Sequence, residues 1–557
     1  MKLQPSAQAA DGGDKAENAP TGCRPCPKES LGAIPRQDGD SQAQRAGSTY
    51  GQILKSSVLI GGSSAVNIVI GIVRIKAMAV LLGPAGFGLM GAFTAIADMA
   101  RSVVAMGVSN SGVRQIAESV SSGDAEKIAL TVLVLRRTSL VLGLCGALLL
   151  MFFSSSISTL TFGTRDHAWG VALLSIAIFF RLVAEGQGAL LQGMRRIGDM
   201  AKVAMFGSVL GTVAGIPLIY WLRQDGIVPS LIAVSCASAL ATWWYSRKVR
   251  INRPAASHAE VKVEVRSLLK LGLAFMASGL LMMGAAYAVR IILIRHAGLE
   301  AAGLYQSAWT VGGLYVGFVL QAMSADFYPR LVGAISDHAV ANRLVNEQAH
   351  ISLLLAGVGV LATISFAPVV LHLLYSADFA GAIETLRWIC LGMMLRVITW
   401  PMGYIIVARG VQKIFFFTEV AWTVVNVGLS LLLVNWMGAK GAGIAFFASY
   451  IFHGLMIYPI ARHMTGFRWS AENVRTAAWI LSLVAVVFLS FYVLSAPLAI
   501  AVGCLATAIA AIHSVYTLMN LVGDEALPAG LTRRLRRLRE FFALIDRRID
   551  IATSHKP

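Results

Sequence analysis

The sequence predicts an all-α, polytopic integral membrane protein of about 14 transmembrane helices, arranged as two six-helix lobes in parallel repeat plus two extra C-terminal helices. Three observations carry this. Of 557 residues, 56% are hydrophobic and only 14% charged, and the mean hydropathy of +0.68 is too high, with charge too sparse, for a soluble surface. Apolar runs of about 20 residues, long enough to cross roughly 30 Å of hydrocarbon, follow one another along nearly the whole chain. A single shift of the numbering lays landmarks of the first six runs on those of the next six.

The runs lie near 56–82, 88–111, 138–157, 168–193, 203–222, 227–246, 269–294, 303–325, 350–375, 382–408, 414–436, 441–461, 476–495 and 499–522, with Pro497 joining the last two almost without a loop. Residues 1–48 are polar, lack the apolar region of a signal peptide, and read as a disordered cytoplasmic tail. The first lobe then covers 49–250, a cytoplasmic inter-lobe loop 251–268, the second lobe 269–465, and the extra pair 466–523. Residues 524–557 form a basic tail, in which Leu531, Leu535, Leu538, Phe542, Ile545 and Ile549 recur at spacings of four and three with arginines between them. That is a basic amphipathic helix suited to an anionic leaflet.

The net charge of +18 does not point to nucleic acid, because the cations alternate by loop. One set of loops carries Arg136, Arg137, Arg195, Arg196, Arg247, Lys248, Arg409 and Lys413 among many others, and the opposite set only Arg165, Arg223, Arg295 and Lys440. Positive charge marks the cytoplasmic side, so the sequence predicts a multi-pass protein of a bacterial inner membrane with both termini cytoplasmic. Of six cysteines, Cys145, Cys236, Cys390 and Cys504 fall in spans. Cys23 and Cys26 make a lone C-x-x-C without the second ligand pair that zinc needs.

The repeat holds without a gap. Adding 215 takes Gly83 to Gly298, Gly88 to Gly303, Arg181 to Arg396, Gly188 to Gly403, Trp221 to Trp436, Gly226 to Gly441 and Arg247 to Arg462. Two similar lobes imply a cavity between them near the bilayer midplane, where a transporter holds its substrate.

Charges in mid-span are the candidate site. Arg181 and Arg396 sit halfway along their runs, too deep to snorkel, and a central charge costs about 2.5–3.5 kcal/mol on insertion scales, so such residues face a bundle interior or a wet cavity. Asp98 and Arg101 are three apart and Arg181 and Glu185 four apart, each pair on one helical face. Two readings stand side by side: intrahelical ion pairs that lock helices together, or a polar cavity whose arginines bind an anionic head group. Arg396 has no acidic residue three or four positions away, which favours the second, and arginine suits phosphate through its planar two-pronged fork. Arg74, Lys76 and Arg290 lie near the outer interface, where they either snorkel or line the cavity mouth. The carboxylates Asp98, Glu185 and Glu419 are those available for coupling to H⁺ or Na⁺; no other cofactor, and no metal, is expected.

At "GIVRIKAMAVLLGPAGFGLMGAF" (71–93), "VRIILIRHAGLEAAGLYQSAWTV" (289–311), "DFYPRLVGAI" (326–335) and "FAGAIETLRWICLGMMLRVITWPMGYIIVARG" (379–410), the chain resembles the polysaccharide transporter branch of the multidrug/oligosaccharidyl-lipid/polysaccharide (MOP, MATE-like) flippase superfamily, in particular Wzx-type O-antigen translocases. The likeness covers about 50–470. It implies a flippase that carries undecaprenyl-diphosphate-linked oligosaccharide repeat units across the inner membrane for lipopolysaccharide O-antigen, capsule or exopolysaccharide biosynthesis. It also implies two lobes alternating access to a basic central cavity, with a polysaccharide polymerase and chain-length machinery as partners. Arg74 stands nine residues before Gly83, as an arginine does in the related lipid II flippases. Where those carry a further cavity arginine about a turn and a half earlier, this chain has Ile68, which points away from lipid II.

Arg74, Arg101, Arg181, Arg290 and Arg396 are therefore the expected substrate-binding residues, and Asp98, Glu185 and Glu419 the expected coupling groups. Two other functions compete. A MATE-like drug or organic-cation antiporter would need carboxylates to dominate the cavity, yet Arg101, Arg181 and Arg396 outnumber Asp98 and Glu185 at mid-depth. A membrane polymerase or glycosyltransferase would need a long external loop and a catalytic motif, and the sequence has no metal triad, nucleophile elbow or phosphate-cradling glycine loop. The expectation is a transporter, not an enzyme, with the lipid bilayer and the lipid-linked glycan as partners and no nucleic acid.

Overall fold

The computed structural model of the protein describes residues 39–249 and 257–521. The chain divides into two units, Met1–Lys55 and Ser56–Pro557, and the architecture below is that of the second. The described residues fold into helices with no strand: α1 (Gly39–Val104), α2 (Val108–Ser122), α3 (Ala125–Phe152), α4 (Ser154–Phe162), α5 (Ala168–Gly193), α6 (Ile197–Leu222), α7 (Ile227–Ser246), α8 (His258–Ala334), α9 (His338–Ser365), α10 (Ala367–Leu374), α11 (Ala382–Ala408), α12 (Gln412–Thr465), α13 (Ala471–Val493) and α14 (Ala496–Leu521). Short 3₁₀ turns at Arg223–Gly226 and Ala377–Gly381 lie between them.

Ten segments among the described residues are long and apolar enough to cross a membrane, so the chain is a multi-pass membrane protein. Four of the ten, Val66–Val104, Ile197–Ser246, Gly279–Gln321 and Gln412–Thr465, run to 39, 50, 43 and 54 residues, about twice what one crossing needs. Each is broken in the middle. In α1 the break is Gly83 (φ 64, ψ −178), and in α8 it is Gly298 (φ 86, ψ 173). This backbone conformation is open to glycine and strained for any residue with a Cβ. Pro84 then starts the second leg of α1, where its missing N–H has no partner to lose.

The remaining two breaks also match. Arg223 (φ 52, ψ −124) separates α6 from α7, and Gly438 (φ 56, ψ −134) interrupts α12. A methyl on Gly226 would meet Leu218 O at 2.4 Å, and one on Gly441 would meet Leu433 O at 2.3 Å. Every one of these correspondences is again 215 positions, so the repeat is one of backbone conformation as well as of sequence.

The extra helices α13 and α14 pack on α9. Ile480 fills the space left by Gly357, Ser365 that left by Gly503, and Ser514 Oγ donates to Leu354 O at 2.9 Å. At one end Asn346 of α9 ties down the connection into α13: its Nδ2 donates to Arg468 O (3.0 Å), and its Oδ1 accepts from Ser470 N and Asn473 Nδ2 (both 2.9 Å).

Several boundaries differ from those read off hydropathy. The run expected over 88–111 stops at Val104, and a polar amphipathic helix, α2, follows, burying Val108, Ser111, Gly112, Ile116 and Ser119 at helical spacing. Asp124 caps α3 by accepting from Lys127 N at 2.9 Å, starting that helix well before 138. The expected inter-lobe loop is helical from His258, where Ser257 and Glu260 form a capping box. The run expected over 350–375 begins at His338 and ends at Ser365, and α1 begins at Gly39. The C-x-x-C at Cys23 and Cys26 and the amphipathic segment 531–549 lie outside the described residues.

Candidate functional site

The second leg of α1 carries Asp98 and Arg101, and α5 carries Arg181 and Glu185. The pairing is across helices, not along them. Arg181 Nη1 lies 2.9 Å from Asp98 Oδ1, and Arg101 Nη1 donates to Glu185 Oε1 at 3.0 Å. The intrahelical alternative is corrected for a geometric reason. On α5 the arginine precedes its acid, the weaker order for an i,i+4 pair, whereas a facing helix at the same depth offers each charge an opposite one directly. The rungs join 98 to 181 and 101 to 185, the order of two helices running in the same direction. All four side chains keep some exposure, from 26% at Arg101 to 40% at Arg181, so none is fully enclosed by the protein. Arg101 Nε is buried without an acceptor, an unused donor beside the pair.

Arg290, on the first leg of α8, comes from the second repeat. Gln306 Oε1 accepts from its Nε at 3.1 Å and its Nη2 at 2.7 Å, and Ala286 O accepts from its Nη1 at 2.9 Å. Gln306 rests against the glycine gap at Gly91 in α1, and Asp98 is within electrostatic reach of Arg290. The structure thus brings Asp98, Arg101, Arg181 and Glu185 together as two rungs, and sets Arg290 with its partner Gln306 against α1 at Gly91.

Arg396 and Glu419 form a second neighbourhood, on α11 and α12. Among the described residues neither makes an ion pair within 4.0 Å, but Glu419, Tyr404, Tyr450 and His453 all feel the Arg396 charge. Adding 215 to Asp98 gives Gly313, so this lobe takes its nearby carboxylate from α12 instead. Arg74 is half-buried on the first leg of α1, with no ion pair among the described residues.

Lys76 reaches from α1 to the end of α10, donating from Nζ to His372 O at 2.8 Å and to Tyr375 O. Tyr375 is buried in an edge-on aromatic cluster with Phe87 (5.4 Å between centroids), and Phe379 packs on both. Gln306 was not singled out in the sequence; the available signal was an amide within an apolar run. One cavity, of about 420 Å³, is apolar. It lies among the second leg of α1, α3 and α4, with Tyr287 at its edge, and no arginine or carboxylate lines it. No group of three or more His, Cys, Asp or Glu placed to hold a metal occurs among the described residues.

Two repeats of broken apolar helices with mid-depth charges between them define a membrane transporter of the MATE-like fold. Solved structures share that architecture. An inward-facing MATE-family multidrug transporter of the MOP superfamily matches with a TM-score of 0.59 at 18% identity, over 72% of this chain and 96% of that one. The lipid II flippase MurJ in an inward closed conformation matches with a TM-score of 0.59 at 15% identity, over 83% and 100%. The chain belongs to the family described as "Polysaccharide biosynthesis protein", whose profile matches residues 77–384. It is also similar to the lipid III flippase of Escherichia coli (strain K12), 22% identical over 417 residues that cover 72% of this chain and 95% of that protein. The chain thus combines the MATE-like fold with membership of the polysaccharide biosynthesis family, and the relatives it resembles are flippases and transporters.

Proposed function

We propose that the protein is a flippase that moves undecaprenyl-diphosphate-linked oligosaccharide repeat units across the bacterial inner membrane, for O-antigen, capsule or exopolysaccharide biosynthesis, by alternating access between its two lobes. In this reading each broken segment crosses twice, giving fourteen spans, and both termini are cytoplasmic, as the basic loops require. One observation carries it. Arg101 and Arg181 pair with the carboxylates Glu185 and Asp98, Arg290 of the second repeat is held by Gln306 with no carboxylate within 4.0 Å among the described residues, and Arg101 Nε still lacks an acceptor. With Arg74, Arg396 and Glu419 included the balance is five arginines to three carboxylates.

A diphosphate head cannot shed its water in hydrocarbon unless fixed donors replace it. Guanidinium forks held by partners on neighbouring helices do so without reorganising. That excess of cations also disfavours an organic-cation antiporter. Asp98, Glu185 and Glu419 are the groups proposed to couple H⁺ or Na⁺, and Glu419 is the one of the three without an ion pair among the described residues.

The test is complementation of a deletion strain with Arg181→Ala, Arg290→Ala and Arg396→Ala, each at matched membrane abundance. Surface polysaccharide should fall and lipid-linked repeat units should accumulate. Unaffected export in all three would remove these residues from the path.

A further inference from the structure

A notch of about 220 Å³ lies where α3, α5 and the end of α7 meet, lined on α5 by Val183 and Gln187 and not by the rung residues themselves. Two cations line it, Arg136 of α3 and Arg247 just beyond α7, together with Ser139, Gln187 and Trp243. No carboxylate lines it, and neither arginine makes an ion pair within 4.0 Å among the described residues. Like charges sharing a pocket repel, so the notch is complete only with an anion in it.

Its donors suit phosphate. The Arg247 guanidinium lies over the rings of Trp244 (4.1 Å) and Trp243 (4.8 Å), which hold its plane and leave the edge of the fork free. Gln187 Oε1 is already used, accepting from Ser246 Oγ at 3.0 Å, so the amide presents its N–H₂.

Depth and surroundings point to a lipid. Arg136 is eleven residues into α3 (125 to 136), roughly 16 Å along its axis, yet it shares the notch with a residue that ends α7. The level of the notch is therefore a membrane interface, consistent with the Trp243, Trp244 and Tyr245 run beside it. From Arg136 an exposed ridge runs down α3 at four-residue spacing: Leu140, Leu144 and Leu148, each more than half exposed. An acyl chain has a track to follow directly below the two cations.

We propose that this notch binds the anionic headgroup of a glycerophospholipid, phosphate on Arg136 and Arg247, one acyl chain along the α3 ridge. On the side assignment made above it belongs to the inner leaflet. It is too small for a diphosphate bearing several sugars, which separates it from the transport path.

Native mass spectrometry of the full-length protein in detergent tests this, with added phosphatidylglycerol, phosphatidylethanolamine or undecaprenyl phosphate. The wild type should retain phosphatidylglycerol in preference to phosphatidylethanolamine. Arg136→Gln/Arg247→Gln should bind it at least tenfold more weakly, and Arg137→Gln, which removes an exposed charge next door, should bind as the wild type. Thermal melting checks that each variant is folded, and Arg247→Lys gives a milder second variant that should weaken retention in part. Equal retention in the double variant, or equal loss in Arg137→Gln, overturns the site. Displacement of phosphatidylglycerol by millimolar inorganic phosphate would make it a soluble-anion site, and displacement by undecaprenyl phosphate a substrate site; either result overturns the assignment to a structural phospholipid.

Discussion

Gly88 and Gly303 meet each other reciprocally across the two repeats: a methyl on Gly88 would stand 2.0 Å from Leu299 O, and one on Gly303 would stand 1.9 Å from Pro84 O. Since 84 + 215 is 299 and 88 + 215 is 303, these are one contact seen from either side of an approximate two-fold axis. The lobes touch here backbone to backbone.

Alanine at either glycine therefore has no rotamer by which to escape, because its obstacle is a carbonyl oxygen on the other lobe. Gly88→Ala and Gly303→Ala should each destabilise by about 1–3 kcal/mol and lower both the melting temperature and polysaccharide export. Gly317→Ala, where a methyl meets nothing within 4 Å, should do neither. Equal behaviour of all three would remove the close approach as a constraint.

The crossed ion pairs predict a specific pattern of energetic coupling. The groups are about a quarter to two-fifths exposed, so each pair is worth only about 0.5–1 kcal/mol. Double-mutant cycles on thermal stability should show favourable coupling for Arg101 with Glu185 and for Asp98 with Arg181, and none for Arg181 with Glu185. Exchanging charges as Arg101→Glu with Glu185→Arg should recover stability that Arg181→Glu with Glu185→Arg does not.

Those rungs were within reach of the sequence, given one further step. Acid precedes arginine on the second span and arginine precedes acid on the fourth, and spans separated by two reversals run in the same direction. Reading each helix alone gives an i,i+3 pair on one and an i,i+4 pair on the other; reading the two together gives the ladder. The repeat was legible where glycines mark a break or a close approach in both halves, as Gly83 with Gly298 and Gly88 with Gly303 show; the break at Arg223, whose counterpart is Gly438, carried no such mark. Contacts with no local spacing were not: Glu419 approaches Arg396 from another helix, and Gln306 holds Arg290 across a break. Helix ends also escaped, since hydropathy marks lipid and not hydrogen bonding. Asp124 starts α3 well outside the apolar run, and the turn before α2 rests on Met106 at φ 45, a conformation its side chain does not announce.

Lys76 predicts a change in local opening. Its ammonium satisfies carbonyls of His372 and Tyr375 at the end of α10, where a helix otherwise leaves them unpaired. Lys76→Met keeps the stem and removes charge and donors. At about 1.5 kcal/mol for a charge-assisted bond, amide hydrogen exchange over residues 371–379 should speed up by roughly tenfold. Unchanged exchange in that peptide would mean that the contact carries no closing energy at this end.

Asn346 predicts how the extra helices are held. Its side chain makes four hydrogen bonds, donating to Asn342 O and Arg468 O and accepting from Ser470 N and Asn473 Nδ2. Asn346→Leu is close in volume but leaves the Ser470 N–H without its acceptor, at about 1–3 kcal/mol, while the Asn473 amide keeps only the backbone carbonyl of residue 346 (2.8 Å). The consequence is local, because three of the four partners, Arg468, Ser470 and Asn473, lie at the connection between α12 and α13. Limited proteolysis should therefore cut between Gly466 and Ser470 faster in the variant, and the melting temperature should fall. Asn346→Asp retains the two acceptor bonds and loses the two donor bonds, so it should fall between the two. If the leucine variant resisted cleavage as well as the wild type, α13 would be held on α9 by its apolar face at Ile480 and Val484 alone, and the polar tie would be dispensable.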